Sequence, residues 1–312
     1  MATMTEPEAV STIKPSHDYH AEAHVFSGEL KHPIKQKIEP QAPVELSDRR
    51  GGHLTRYAED VSIEGLISFT KGRTRVSGAR SLKNNGWSTL STSILEGLNV
   101  FEVITADRIV SQVSTDHAYL NGHVPHVTFL GTQFTNFQVG GFKPTLTLNL
   151  GICGDIPAAG KSYLQDETFL KAVKAQTESI AHAKGLPADL KKQYDEKLTY
   201  IDSLIVTRNG DDKVCHEPIT CSLVESISFG ENGIPIPGLQ IFGHILVIPE
   251  FGSVALGEVE VGERKYEEEE QKKREERPSP YFELTSVKMN MGCVAAGTAS
   301  AATAKSNGHT VP

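Results

Sequence analysis

Three side chains near the start of the chain have types and a spacing that suit a metal ion. His20, Glu22 and His24 alternate along the sequence, so on a β-strand all three project from one face. Imidazole nitrogens and carboxylate oxygens are ligands that zinc and similar divalent ions accept. The competing interpretation is an exposed polar face of the first strand, since 12 histidines make such a spacing expected by chance.

The segment GDIPAAGKS, residues 154–162, has the order of a phosphate-binding loop, because it follows the strand-like TLTLNLGI and precedes a helical pattern. In such loops backbone amides at a helix N-terminus hold phosphates, a lysine adds charge and a hydroxyl binds magnesium. Lys161 and Ser162 would take those roles in a nucleotide site. The spacing differs from the motif, however, and Asp155 puts a negative charge where phosphate would sit. The alternative is a loop that opens a helical insertion.

Four basic side chains form a candidate anion-binding cluster. Arg73, Arg75, Arg80 and Lys83 lie in a stretch without an acid from residue 71 to residue 95. Arg73 and Arg75 share a strand face, and a phosphate or an acidic partner could dock there. The alternative is the solvent-exposed face of an amphipathic hairpin.

Local catalytic signatures are absent from the sequence. It contains no G-x-S-x-G, H-E-x-x-H or G-x-G-x-x-G motif, so the catalytic residues of any enzyme activity are unknown and must come from distant positions. The four cysteines form no C-x-x-C pair, which favours separate, reduced and buried thiols. Cys215, His216 and Cys221 offer zinc-type atoms at an unfavourable spacing.

Composition restricts the class of protein. The chain has 312 residues, with 39 acids against 31 bases and a formal net charge of -8. These proportions exclude collagen-like, coiled-coil and wholly disordered classes, and nucleic-acid binding is not expected. No apolar run reaches the ~20 residues of a membrane span, and the start lacks the pattern of a secretory signal. We therefore expect a cytoplasmic protein.

The pattern of apolar residues predicts a mainly β protein. Short runs rich in Val, Ile, Leu, Phe and Thr, such as Val61 to Thr70 and Asn99 to Val113, alternate with breaks that contain Gly, Asn or Pro. Asn84-Asn85-Gly86 is a strong turn signal. This spacing is typical of an antiparallel β-sandwich or a barrel-like domain.

A helical period appears in one region only. Asp166 suits the cap of a first helix, and the pattern predicts an inserted helical hairpin over residues 164–206. Around it we expect a disordered tail at 1–19 and a single β-rich domain at 20–312. Residues 263–277, with seven acids and six bases, suggest a charged hairpin extension. Two β domains joined by the hairpin are the alternative.

Several short segments resemble a family of β-rich bacterial modules, the uncharacterised choice-of-anchor proteins. They are Thr105-Ala106-Asp107, Phe129-Leu130-Gly131-Thr132, Val139-Gly140-Gly141 and Ile248-Pro249-Glu250-Phe251-Gly252. The resemblance covers about half of the chain and omits the helical insertion. It implies a β-sandwich-like structural or interaction module without assigned catalysis, although this chain shows neither an export signal nor an anchoring tail.

The leading functional expectation is a non-catalytic β-rich binding or structural protein that self-associates through an exposed sheet edge as a homo-oligomer. One alternative is an enzyme whose site is assembled from distant residues, with a divalent metal at His20, Glu22 and His24 as its cofactor. A second alternative is a carrier for a small apolar or anionic ligand.

Overall fold

A computed structural model of the protein describes residues 16–32, 34–81, 85–119, 124–158, 161–207, 217–230, 234–264, 279–292 and 296–311. Most of the charged segment expected at 263–277 and residues 1–15 of the expected tail lie outside these ranges. Residues 16–19, which were also assigned to that tail, already belong to the first strand.

The strands of the described part are numbered in chain order. They are β1 (Ser16–His32), β2 (Gln36–Ile38), β3 (Val44–Asp48), β4 (Gly52–Ile63), β5 (Ile67–Ser81), β6 (Gly86–Val100), β7 (Ile104–His117), β8 (His126–Thr128), β9 (Gln133–Thr135), β10 (Gln138–Val139), β11 (Thr145–Leu148), β12 (Ile219–Ser222), β13 (Val224–Ser228), β14 (Gln240–Phe242), β15 (Ile245–Ile248), β16 (Gly252–Arg264), β17 (Ser279–Met291), β18 (Ala296–Ser306) and β19 (His309–Val311). The helices are α1 (Glu167–Ala181) and α2 (Ala188–Thr207), preceded by a 3₁₀ turn at Tyr163–Gln165.

The strands form two large antiparallel sheets. The ten-stranded sheet has the order β14-β15-β16-β17-β18-β1-β19, with β12 beside β16 and with β2 and β3 beside β1. The seven-stranded sheet has the order β10-β7-β6-β5-β4, with β8 and β9 beside β7. The sheets pack as a sandwich and, in the described residues, do not close into a barrel. The predicted mainly β, antiparallel sandwich with two inserted helices is therefore confirmed.

Apolar side chains fill most of the space between the sheets, and small polar ones line its centre. Phe26, Phe69 and Leu95 are almost wholly buried. Beside them, the Ser91 hydroxyl donates to the Glu22 carbonyl at 2.6 Å and the Ser93 hydroxyl donates to the His24 carbonyl at 2.8 Å. These bonds join β6 to the backbone of β1 in the other sheet. The small serine side chains therefore allow the two sheets to approach each other closely at this point.

Two turns were not visible in the sequence. The run from Val61 to Thr70 is divided by a turn at Glu64 and Gly65, and the run from Asn99 to Val113 is divided at Phe101 and Glu102. Phe101 and Glu102 have φ values of 54° and 57°, which glycine or asparagine usually adopts. The turn at Asn85, with φ of 47°, carries the expected signal.

The helical hairpin packs against strands of the ten-stranded sheet, among them β12, β16 and β17. Asp166 caps α1, since its carboxylate accepts a hydrogen bond from the Phe169 backbone N–H at 2.8 Å. The Tyr163 ring meets Phe169 and Phe282 edge to face, with centroid distances of 5.6 and 5.1 Å. Aromatic contacts therefore join α1 to β17. Within the described residues, neither helix has the length and apolar character needed to cross a membrane.

Candidate functional site

Charged side chains form a row across the outward face of the ten-stranded sheet. Phe282 and Leu284 of β17 are fully buried in the core, so Glu283 between them points to the opposite side. The strand register places Glu283 beside Lys305 of β18 and Glu260 of β16. Lys305 in turn pairs with Glu22 of β1. We call Glu22, Lys305, Glu283 and Glu260 the polar row.

Direct contacts connect the members of the polar row. Lys305 Nζ lies 3.7 Å from Glu283 Oε2 and 4.7 Å from the centre of the Tyr281 ring. The Tyr281 hydroxyl donates to Glu260 Oε1 at 2.7 Å. Lys305 therefore lies beside Glu283, and two further cations act electrostatically on the row, Lys288 on Glu260 and Glu283 and Arg264 on Glu22.

Burial and the neighbouring charges affect the protonation of Glu283. Burial raises the pKa of its carboxyl; Lys305 opposes the rise, while the negative charges of Glu260 and Glu22 add to it. At the end of the row the opposite holds, because the hydrogen bond with His20 lowers the pKa of Glu22. A cation placed over the row would favour the ionised form of Glu283.

A second group of titratable residues lies next to the row, at the junction with α2. Glu258 of β16 is 8% exposed. Its Oε2 atom is 3.0 Å from Lys288 Nζ, and its Oε1 atom is 3.8 Å from His244 Nε2. Burial alone would raise the pKa of Glu258, but the nearby His244 imidazole and the charges of Lys288 and Lys197 outweigh it, so the pKa is well below the usual range.

Helix α2 contributes two members to this group, which we call the Glu258 cluster. Tyr194 is 3% exposed, and its hydroxyl lies 3.4 Å from His244 Nε2. Lys197, one turn later, places Nζ 4.6 Å from the centre of the Tyr194 ring. Burial raises the pKa of Tyr194 and lowers that of Lys197, with the negative charge of Glu258 opposing the change at Lys197.

The two groups have different accessibility and therefore different chemical uses. Glu258, His244 and Tyr194 are almost wholly buried, so the Glu258 cluster fixes α2 against the sheet. Glu22 and Glu283 keep 44% and 34% of their side chains exposed. The polar row is thus the part that a ligand can touch.

The structure places the predicted metal residues on one face of β1, but they do not converge. His20 Nε2 and Glu22 Oε1 are 2.6 Å apart. His24 Nε2 instead lies 3.1 Å from the Ser27 hydroxyl. The neighbour that does approach His20 and Glu22 is Glu45 of β3, and the ligand atoms of these three residues lie within 4.8 Å of one another.

Two of the predicted anion-binding arginines, Arg73 and Arg75, are on the exposed face of the seven-stranded sheet, whereas Arg80 pairs with buried Trp87 and so belongs to the opposite face. Arg73 lies over the Tyr57 ring at 5.7 Å, and Arg75 Nε donates to His53 Nδ1 at 3.2 Å. Arg80 sits further along β5, 5.8 Å from the Tyr119 ring. Lys83 is outside the described residues. Anion binding at this face stays a prediction.

The predicted phosphate loop has different surroundings from those of a nucleotide site. Lys161 is exposed, and Ser162 precedes the three-residue 3₁₀ turn rather than a long helix. Strand β11 before it pairs antiparallel with β13, so the parallel strand–loop–helix unit that the motif requires is not formed. Nucleotide binding through Lys161 and Ser162 receives no support from this geometry.

The cysteines that the structure describes are free and buried, as expected. They are Cys153 and Cys221. Burial raises the pKa of the Cys221 thiol to about 12 and that of Cys153 well above its usual value, which makes both thiols poor nucleophiles. Cys215 and His216 lie outside the described residues, so the zinc set with Cys221 stays a prediction.

Comparison with known proteins places the chain in a family. A model for a domain of unknown function, DUF8256, matches residues 17–262. The chain belongs to this family. The DUF8256 region includes Glu22, Glu45 and the Glu258 cluster except Lys288, whereas Glu283 and Lys305 follow it. No curated protein matches the chain, and no solved structure does. The likeness to the choice-of-anchor modules therefore stays a prediction.

The sequence offered only faint signs of the polar row and the Glu258 cluster. Glu258 and Glu260 alternate with valines in LGEVEVG, which is typical of a strand with one polar face. Tyr194 recurs with Leu190 and Leu198 at a spacing of four residues, which is typical of one face of a helix, and Lys197 lies three residues after Tyr194 on that same side. Nothing in the spacing joins these residues to His244, Glu283 or Lys305, because only the sheet register brings them together.

Proposed function

We propose that this protein is a non-catalytic binding protein and that its polar row holds a small organic cation, such as a polyamine. The observation that carries the proposal is the presence of three carboxylates, those of Glu22, Glu283 and Glu260, on adjoining strands of an accessible sheet face. A bound ammonium group would favour the ionised form of Glu283 and lower the pKa of its carboxyl towards the ordinary value. The acidic balance of the whole chain supports the attraction of cations.

The proposal is tested by calorimetric titration of the full chain with spermidine. We expect binding that weakens as salt is added. Glu283→Gln should weaken it roughly tenfold, which corresponds to about 1.4 kcal/mol. Glu225→Gln, on exposed β13, is the matched control and should bind as the wild type does. Absence of heat with the wild type, or equal affinity in the two variants, would remove the polar row as the cation site.

A structural or interaction role, as implied by the choice-of-anchor likeness, is compatible with this binding role. Self-association belongs to the same proposal, with β4 as the edge strand, since in the described residues β4 pairs only with β5. One feature of β4 opposes this self-association. Asp60 interrupts the strand with a φ of 50°, and such irregularities limit the pairing of an edge strand with another chain. For a carrier, the inter-sheet space offers less support, because large side chains such as Phe26 and Phe69 occupy it.

A second candidate function is general acid–base catalysis. The observation that favours it is that Glu283 has a raised pKa while the nearby Glu258 has a lowered one, a division found in acid–base pairs. In the register, Glu258 lies opposite Thr285 and Glu283 lies opposite Glu260. Glu258 and Glu283 are therefore diagonal neighbours on adjacent strands, with their Cα atoms roughly 7 Å apart.

Chromogenic glycosides, esters and phosphates distinguish this candidate from simple binding. If Glu283 acts as an acid, turnover of one probe should exceed background, fall as the pH rises through the raised pKa of Glu283, and disappear in Glu283→Gln. Turnover at background level for all three classes of probe would eliminate the enzyme and leave the binding proposal standing.

A further inference from the structure

Two carboxylates face each other across the pair of strands that β1 forms with β3. The register sets Glu22 directly opposite Glu45. Like charges at directly opposed positions of a strand pair destabilise it, unless a cation lies between or beside them. Glu45 is exposed and Glu22 is half-buried, so an ion from solvent can reach both.

His20 adds a nitrogen donor to these oxygens. Its side chain is 12% exposed, and Nε2 lies 2.6 Å from Glu22 Oε1. The donor atoms of His20, Glu22 and Glu45 all lie within 4.8 Å of one another. Atoms that bind the same zinc ion at about 2.0–2.2 Å are separated by roughly 3–3.5 Å, so small side-chain rotations bring the three donors to that spacing.

Lys305 and Arg264 act electrostatically on Glu22 and offset part of this repulsion, but neither side chain can be a ligand in place of Glu45 or His20. Lys305 pairs with Glu22 in the register, but its ammonium group lies 3.7 Å from Glu283 and over the Tyr281 ring. It is therefore directed towards β17, away from Glu45 on the other side of β1. His24 is engaged with the Ser27 hydroxyl at 3.1 Å.

We propose that His20, Glu22 and Glu45 bind one divalent transition-metal ion, with Zn²⁺ as the ion that best fits one imidazole and two carboxylates. Water completes the coordination on the solvent side, because Glu45 is exposed. The set differs from the one that the sequence suggested, since Glu45 takes the place of His24. The metal site does not depend on amine binding by the polar row, although Glu22 belongs to both.

The test is calorimetric titration of tag-free, chelator-treated full chain with ZnCl₂. We expect one equivalent to bind, with at least a tenfold loss of affinity in Glu45→Gln, the level at which even outer groups around a metal have effects. His24→Ala is the matched control and should keep the wild-type affinity. Glu22→Gln is a second ligand variant, and circular dichroism checks that each variant is folded.

Cobalt substitution adds a readout of ligand type. Co²⁺ bound at this site should show d–d bands of an oxygen and nitrogen environment, without thiolate charge-transfer absorption. Loss of affinity in His24→Ala with retention in Glu45→Gln would overturn the proposed ligand set. Zinc binding that none of the variants changes, or thiolate absorption, would assign the metal to other residues. Glu283→Gln should leave zinc affinity unchanged, which separates this site from the amine site.

Discussion

Replacing Glu258 with alanine is expected to lower the free energy of unfolding by about 3 kcal/mol, within the range for removing one partner of a buried ion pair. The carboxylate lies 3.0 Å from Lys288 Nζ and 3.8 Å from His244 Nε2. Its loss removes the negative charge that acts on buried His244 and on half-buried Lys197. The effect is at the low end of the range because the Lys288 side chain is 62% exposed and can be hydrated.

The size of this effect should depend on pH in a defined direction. The folded-state pKa of Glu258 lies below its ordinary value, so folding favours the ionised form. The contribution is fully present above the pKa of an unfolded glutamate and is lost as the pH falls through the folded-state pKa. The stability difference between wild type and Glu258→Ala should therefore shrink on acidification from about pH 7 to about pH 3.

Urea denaturation at several pH values measures both expectations. Glu225→Ala removes an exposed carboxylate from β13 and should change stability by less than about 0.5 kcal/mol. Glu258→Gln keeps the shape of the side chain and isolates the charge. A cost for Glu258→Ala that equals that of Glu225→Ala, or that grows in acid, would contradict the role of Glu258 as an ionised anchor of α2.

Phe282→Ala is the second substitution with a large expected effect, about 3–5 kcal/mol of destabilisation. Phe282 is fully buried, and its ring lies 5.1 Å from that of Tyr163, edge to face. Tyr163 in turn contacts Phe169 at the start of α1. Removing the ring leaves a cavity where β17 meets the helical hairpin. The closely packed side chains around this cavity can move to fill it only in part.

Phe142 offers a matched control for this substitution. Its side chain is 46% exposed, so Phe142→Ala should cost well under about 1 kcal/mol. Guanidinium denaturation compares the two variants, and limited proteolysis should cut Phe282→Ala first within residues 161–207. A cost for Phe282→Ala below about 1 kcal/mol would mean that the hairpin is not anchored through β17.

Fold class was accessible from the sequence because its signals are local. Alternating apolar residues, the Asn85-Gly86 turn and the Asp166 cap each depend on a few neighbouring residues. The turn at Phe101 and Glu102 escaped prediction, since neither residue favours the positive φ that it adopts there. Tertiary packing, with Val100 and Ile104 buried on either side, imposes that conformation against local preference.

The candidate sites divide in the same way. Alternation alone put His20, Glu22 and His24 on one strand face, which is where they lie. It could not show that Glu45, more than twenty residues later in the chain, places a possible metal ligand near Glu22, whereas His24 does not. The pairing of β1 with β3 decides this, because register sets which side chains are directly opposed.

By itself, the sequence determined that the chain is mainly β, antiparallel and interrupted by two helices. The alternation of apolar residues and the residues that favour turns can both be recognised in short consecutive segments. Only the tertiary structure decided where its charges meet. Glu260, Glu283 and Lys305 come from the successive strands β16, β17 and β18, Glu22 comes from the distant strand β1, and α2 brings Tyr194 and Lys197 to Glu258. Electrostatic interactions depend on distances of a few ångströms in space, and those distances exist only after the strands have paired.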